Sequence, residues 1–442
     1  MSSGLVVKNN LSALNTLNTM NKNTSALNKS MSKVSSGLKI RNAADDSSGY
    51  QISERMKVQI RSLDQANQNT QNGSSLLSTA AGGVDSTVEI LKTLKEKVIS
   101  AANGTNTDSD LKAIQDEMDQ SIDQINDNSN VTFNNQYLSN GSRSGKGSAT
   151  TSAYVNSSLS TDTLGTTVLT ALTDRNGKTL GLVSTDTVTV SYVSNGTTTT
   201  TSFQVGTSST LDDILTKITG ADASAATTNY TSDIGVDSGS NSISTADKQN
   251  VVTLSAKTAG VTSSISGFSI GVTDSSGNEK KSVDTKLDAF NEKITAADTI
   301  AVDSALSLQV GTKSNQTIKV SLSDMSAKAL GLQGQDSATG DVNLDVSTKE
   351  NANAAINTLD AALQRALSEQ TKIGAAQSRL DYTSQNLTTS SENVTDAQST
   401  IADADMAKEM TEYSKNSVLQ QAAQSMLAQA NQSGSGVLSL LK

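Results

Sequence analysis

The chain has 442 residues and a formal net charge of −10, from 34 basic against 44 acidic side chains, and it contains no Pro, Cys, His or Trp. At an ordinary usage of about 5%, roughly 22 prolines would be expected. Without His or Cys there is no histidine general base, no thiolate nucleophile, no zinc site built from nitrogen and sulfur ligands, and no disulfide framework. The four Phe and seven Tyr are the entire aromatic complement, and the apolar fraction is 34%. That composition predicts thin aliphatic seams in place of one thick aromatic core. No cluster of Lys and Arg interleaved with aromatics appears, so nucleic-acid binding is not expected.

The N-terminus carries only three consecutive apolar residues, Leu5, Val6 and Val7. That is too few for a signal-peptide core or a membrane span, so neither membrane insertion nor signal-directed export is expected. From Leu11 to Leu38, Ala13, Leu17, Met20, Thr24, Leu27, Met31, Val34 and Leu38 recur at alternating steps of four and three, the spacing of a heptad seam. A second run steps by seven through Met56, Leu63, Thr70, Leu77, Val84, Leu91 and Val98, which predicts a helix from about Ser47 to Ala102, roughly 80 Å long. The adjacent Gly82 and Gly83 cost about 1 kcal/mol each relative to Ala there, and they suggest a close helix crossing or a bend. Asn103-Gly104 ends that run, and a shorter helix capped by Ser109 places Leu111, Ile114, Met118, Ile122 and Ile125 on one face.

Between about 140 and 300 the period changes to two. Val188, Val190 and Tyr192 alternate with polar residues, Asn195-Gly196 supplies a hairpin turn, and Phe203 and Val205 resume the alternation. Thr210 caps a short helix with Ile214, Leu215 and Ile218, and 251–254 and 268–272 are further strand candidates. A second hairpin follows, with Leu306, Leu308 and Val310 on one strand and Ile318, Val320 and Leu322 on the other. The C-terminal third mirrors the first: Leu359, Ala366, Ile373, Leu380, Leu387, Val394 and Ile401 are spaced by seven. A last run carries Met406, Met410, Tyr413, Leu419, Ala423, Met426 and Ala430, then Val437, Leu438, Leu440 and Leu441.

The tightest acidic groups are Asp45-Asp46, Asp212-Asp213 and the pair Asp403 and Asp405, each read as helix capping or a solvated face; no catalytic residue, metal site or cofactor is assigned. The seams are the informative feature. Those of the middle helices have each other as partners, whereas the stripes of 1–40 and 405–442 lie at chain ends with no neighbouring domain to cover them, which points to assembly with other subunits. A heterologous contact that does not close into a ring builds a fibre.

The segment from Ser35 to Gly49, Ser-Ser-Gly-Leu-Lys-Ile-Arg-Asn-Ala-Ala-Asp-Asp-Ser-Ser-Gly, with Ile52-Ser53-Glu54-Arg55, resembles the N-terminal signature of bacterial flagellin. Asn386-Leu387, Glu392-Asn393, the stretch from Ile401 to Ala407, Gln429 to Gln432 and the final Val437 to Leu441 are similar to its C-terminal signature. The resemblance covers roughly 1–140 and 300–442. It implies an α+β subunit: N-terminal filament-core helix 1–45, first half of a helical rod 46–140, variable Ser/Thr-rich β-insertion 141–300, hairpin and second half of the rod 301–404, and C-terminal filament-core helix 405–442. The core-assembly residues would be Leu17, Met20, Leu27, Met31, Val34, Met406, Met410, Leu419, Met426, Val437, Leu438, Leu440 and Leu441. Rod packing, in an antiparallel coiled coil, would fall to Met56, Leu63, Leu77, Val84, Leu91, Val98, Leu359, Ile373, Leu380, Leu387, Val394 and Ile401.

The resemblance further implies an extracellular homopolymer used for swimming, exported unfolded by the flagellar type III apparatus. An export chaperone would hold 406–441, and the filament cap and the hook–filament junction proteins would be partners. The alternatives are the junction protein itself and, from other classes, a coiled-coil adhesin or a carboxylate glycosidase. Two departures stand out. Ser433-Gly434-Ser435-Gly436 replaces a usual proline-containing stretch, so a more flexible end is expected. In the segment by which a host innate receptor recognises many flagellins, Thr93 aligns with the hot-spot Arg and Lys97 with a contacting Leu, while Glu117 matches the family acid; weak activation is expected.

Overall fold

The computed structural model describes residues 10–440, apart from 220–226, 230–232, 246–248, 262–263 and 337–339. The order of elements is α1 (Leu11–Ser36), α2 (Ser47–Ala101), α3 (Asp108–Ser129), a hairpin of β1 (Thr132–Phe133) and β2 (Gln136–Tyr137), a β-rich stretch from β3 to β15, and two last helices, α6 (Lys349–Ala402) and α7 (Met406–Leu440). Two compact units result. One comprises Met1–Thr70, Gln309–Gln316 and Tyr382–Lys442, the other Gln71–Leu308 and Thr317–Asp381.

Helix starts and stops follow local chemistry. The α1 helix opens on the Asn10 side chain, which accepts from the Ala13 amide, and it closes on Gly37 at φ 69, whose amide donates to the Lys33 carbonyl. Glycine takes that left-handed position without the Cβ penalty. The α3 cap is Thr107, two residues before the expected Ser109, because Asp110 returns its carboxylate to the Thr107 amide and completes a capping box. Through Gly82 and Gly83 the α2 helix is unbroken. A Cβ on Gly83 would lie 3.4 Å from the Asn128 carbonyl at the end of α3, an ordinary contact distance, and one on Gly82 would meet nothing within 4 Å. Likewise α7 is helical through Ser433–Gly436, where flexibility was expected.

In the second unit, α2 and α6 run antiparallel: Gln377 bonds Ser78, Gln370 bonds Asp85 and Lys95 pairs with Asp360. Leu77, Val84, Leu91, Val98, Leu359, Ile373 and Leu380 are all buried there, with Met118, Ile122 and Ile125 of α3. The same unit holds two main sheets. The first has the order β10 (Ile265–Thr273), β4 (Thr187–Ser194), β5 (Thr197–Gln204); the second has β11 (Phe290–Ile294), β3 (Ala153–Asn156), β9 (Val252–Ser255), β6 (Thr227–Asn229). All these pairings are antiparallel. Helices α4 (Leu211–Thr219) and α5 (Lys281–Leu287) contribute Leu211, Ile214, Leu215, Val283 and Leu287 to one core with Val188, Val190, Phe268 and Ile270. Tyr154, Phe268 and Phe290 meet edge to face within it, at ring-centre distances of 5.4 and 4.8 Å. Smaller hairpins pair β7 (Asp233–Val236) with β8 (Ser242–Ser244), β12 (Leu306–Gln309) with β13 (Thr317–Val320), and β14 (Gln333–Asp336) with β15 (Gly340–Asn343).

The insertion is tied directly to the α6 helix. A Cβ on Gly267 would stand 2.5 Å from Thr358 Oγ1 and 2.6 Å from the Thr358 amide nitrogen, so only glycine admits this approach. Asn357 Nδ2 donates to the Phe268 carbonyl at 2.7 Å, Lys349 pairs with Glu279 at 2.7 Å, and Arg365 pairs with Glu292 at 2.5 Å.

Candidate self-assembly surface

The first unit is a helix pair joined to the ends of α2 and α6. Asn10 Nδ2 donates to the Ala430 carbonyl, Asn23 Nδ2 to the Leu419 carbonyl, Asn416 Nδ2 to Ser30 Oγ, and Lys33 Nζ to Glu409 Oε1. Residue numbers rise on one helix as they fall on the other, so α1 and α7 are antiparallel. The fully buried positions of the pair are small or polar: Ser30, Glu409, Ala423 and Ala430. Among the described residues, no Leu, Ile, Val or Met of either helix is buried.

Apolar side chains point outward instead. Leu11, Leu14, Leu17 and Met31 of α1, with Met406, Met410, Val418, Leu419 and Met426 of α7, are 38–64% exposed. Of the residues expected to assemble, Met20, Leu27 and Val34 are half-buried between the helices. Val437, Leu438 and Leu440 lie on helical backbone, but their side chains fall outside the described residues, as does Leu441 altogether. Sequence reasoning missed Leu11, Leu14 and Val418, which lie off the seam spacing and become recognisable only once the buried face is known.

The connectors at the base of the pair are locked. The Lys39 amide donates to the Ala402 carbonyl at 2.7 Å and the Ala404 amide to the Gly37 carbonyl at 2.9 Å. Ile40 is buried, and a Cβ on Gly49 would meet Ile40 Cδ1 at 2.6 Å, so the glycine admits this close packing at the start of α2. In this unit Leu63, Ala66 and Leu387 form a small core with Val394 packed against it, and Met56 and Ile401 are half-buried.

Most of the acidic groups act on backbone, whereas Asp403 accepts from the Ser399 hydroxyl. Asp46 accepts from the Ser48 amide, Asp213 from the Thr210 amide, and Asp405 from the Ala407 and Lys408 amides. A marked electrostatic perturbation lies elsewhere, where α5 meets β10: burial pushes Asp288 up to about 7 and Asp284 up to about 6, against the amides they accept from. Glu292 is also raised by burial, which outweighs the neighbouring Arg365. In the receptor-like segment, Thr93 Oγ1 donates to the Glu89 carbonyl, and Lys97 Nζ pairs with Glu117 Oε2 at 2.9 Å. Among the described residues, no helix is long and apolar enough to cross a membrane.

Residues 7–144 match the bacterial flagellin N-terminal helical region, and 356–441 match the bacterial flagellin C-terminal helical region. The chain is 34% identical over 432 residues to a flagellin of Clostridium tyrobutyricum, covering 97% of this chain and 99% of that one. It is 30% identical over 453 residues to a flagellin of Bacillus subtilis, covering 99% of each. A solved structure of FliC from Burkholderia pseudomallei is 20% identical and covers 70% of this chain and 99% of that one, at a TM-score of 0.25. The chain belongs to the bacterial flagellin family, the structural subunits that self-assemble into the extracellular flagellar filament.

Proposed function

We propose that the exposed apolar faces of α1 and α7 are the contact by which successive copies join, with 1–45 and 405–442 lining the filament centre. The surrounding tube is then 46–140 and 301–404, and 141–300 projects outward. The observation that carries this reading is the set of nine large apolar side chains left open on a helix pair whose fully buried positions are small or polar. Such a surface aggregates if it is made inside the cell. The chain is therefore exported unfolded through the type III apparatus, with 406–441 covered by a chaperone until it leaves. At the filament ends the same helices meet the cap and the junction proteins.

Deletion of 405–442 tests the assembly contact. Filament seeds given the truncated chain should fail to elongate by electron microscopy, and continuous growth would sink the reading. A host receptor that uses the Glu117 acid finds it already paired to Lys97, with Thr93 in place of an anchoring Arg. Losing such an anchor costs about 2 kcal/mol or more, so a reporter-cell response well below that of a standard flagellin is expected.

A further inference from the structure

The three-stranded sheet treats its two edges in opposite ways. On β10 the outward groups are taken: the Ile270 amide donates to Asp288 Oδ1 at 2.9 Å, the Val272 amide to Asp284 Oδ1 at 2.7 Å, and the Val272 carbonyl accepts from the Lys280 amide. The Phe268 carbonyl accepts from Asn357 and the Ile265 carbonyl from the Tyr154 hydroxyl. That edge is closed at the expense of two carboxylates held partly out of water.

On β5 only the turn is covered, where Gly196 packs against Gly334 and Val342 of the β14–β15 hairpin, and the backbone along the strand is not taken in the same way. Asn195 and Gly196, at φ 50 and 71, form a two-residue turn closed by Ser194 and Thr197. In such a hairpin the closing pair is hydrogen-bonded and the bonding alternates from there. Thr197, Thr199, Thr201 and Phe203 therefore bond to β4, and the amides and carbonyls of Thr198, Thr200, Ser202 and Gln204 point away from the sheet. Among the described residues, none of these outward backbone groups has a partner. The register runs for eight pairs without a bulge, and the strand, Thr-Thr-Thr-Thr-Thr-Ser-Phe-Gln, has no charge and no proline. Its shape is braced by Ser191 and Thr189 hydroxyls paired with Thr200 and Ser202 at 2.8 and 2.9 Å, and by Thr200 bonding Asn351 of α6.

A long, flat, uncharged edge is what soluble proteins avoid, since it templates pairing with another chain. We propose that β5 is an interface strand, which takes an extended segment of a second copy of this chain through the backbone of Thr198, Thr200 and Ser202 when the filament forms. The proposal rests on the filament reading, which sets identical neighbours beside every copy. Pairing of β5 with its own counterpart needs a two-fold axis, and a filament of like-oriented subunits has none. The incoming strand is therefore a different segment of the neighbour.

Amide hydrogen exchange on the full chain, as dilute monomer and as seeded filaments checked by electron microscopy, tests this. The Thr198, Thr200 and Ser202 amides should exchange freely in the monomer and at least tenfold more slowly in the filament. Thr199 and Thr201, bonded to β4 in both states, serve as internal controls. Ser202→Lys should leave the monomer's circular dichroism intact and abolish the added protection. Well-formed filaments in which these amides exchange as fast as in the monomer would overturn the proposal, and so would slow exchange already present in the monomer. A failure to grow filaments at all would instead overturn the reading beneath it.

Discussion

The α1–α7 pair and the β-insertion are built from similarly polar sequence, yet they satisfy their apolar residues in opposite ways. In the insertion Leu169, Val188, Leu215, Leu254 and Val272 are fully buried around a small aromatic cluster. In the helix pair the buried positions are Ser, Ala and Glu, while Leu11, Leu14, Met31, Met410 and Met426 face outward. The insertion is a finished core, closed by its own side chains. The helix pair leaves large apolar side chains open, and under the proposed reading other copies cover them.

Truncation at the centre of the insertion should break the comparison most visibly. Phe268→Ala removes the ring shared by Tyr154 and Phe290, and a loss of about 3–5 kcal/mol in the unfolding free energy of the monomer is expected by denaturant titration. An effect below about 1 kcal/mol would show that this core is not close-packed. Gly267→Ala forces a methyl into the Thr358 backbone and should cost about 1–3 kcal/mol in the same measurement.

Asp288→Asn should act in the opposite direction. The Asp288 carboxyl has a raised folded pKa of about 7, against an ordinary value near 4, so its contribution to stability is fully present below pH 4 and is lost as pH rises through 7. The neutral amide, able to keep the bond from the Ile270 amide, should therefore stabilise the monomer at pH 8 by about 1–2 kcal/mol and leave it little changed at pH 4. An unchanged pH profile of melting temperature would remove the electrostatic account. Smallest in the monomer is the effect of Met31→Ser with Met426→Ser, within about 0.5 kcal/mol because both side chains already face water. The same pair should raise the critical concentration for filament growth severalfold, and equal polymerisation of variant and parent would show that these faces stay wet in the filament.

Much of the rod was legible because a heptad repeat needs only one dimension. The steps from Leu63 to Val98 and from Leu359 to Leu387 fall on α2 and α6. The Asn195-Gly196 turn likewise announced β4 and β5, since its backbone angles suit few other residues. The sheet orders were not legible. β3 and β11 have weak signatures, Ala-Tyr-Val-Asn and Phe-Asn-Glu-Lys-Ile, and they become strands because β9 and the α6 helix provide partners far along the chain. The division of the α1 seam into half-buried Met20, Leu27 and Val34 and exposed Leu17 and Met31 was equally hidden, because it depends on the angle at which α7 lies across it.

By itself, the sequence determined the kind of protein this is. A chain with apolar seams at both ends and the Ser35–Gly49 signature points to packing and self-association. Only the tertiary structure decided where that packing ends. It closed β10 with Asp284 and Asp288, left β5 open, and turned Met31 and Met426 to solvent. The reason is physical: periodicity records which residues share a face, whereas burial depends on what else reaches that face, and those partners lie hundreds of residues away.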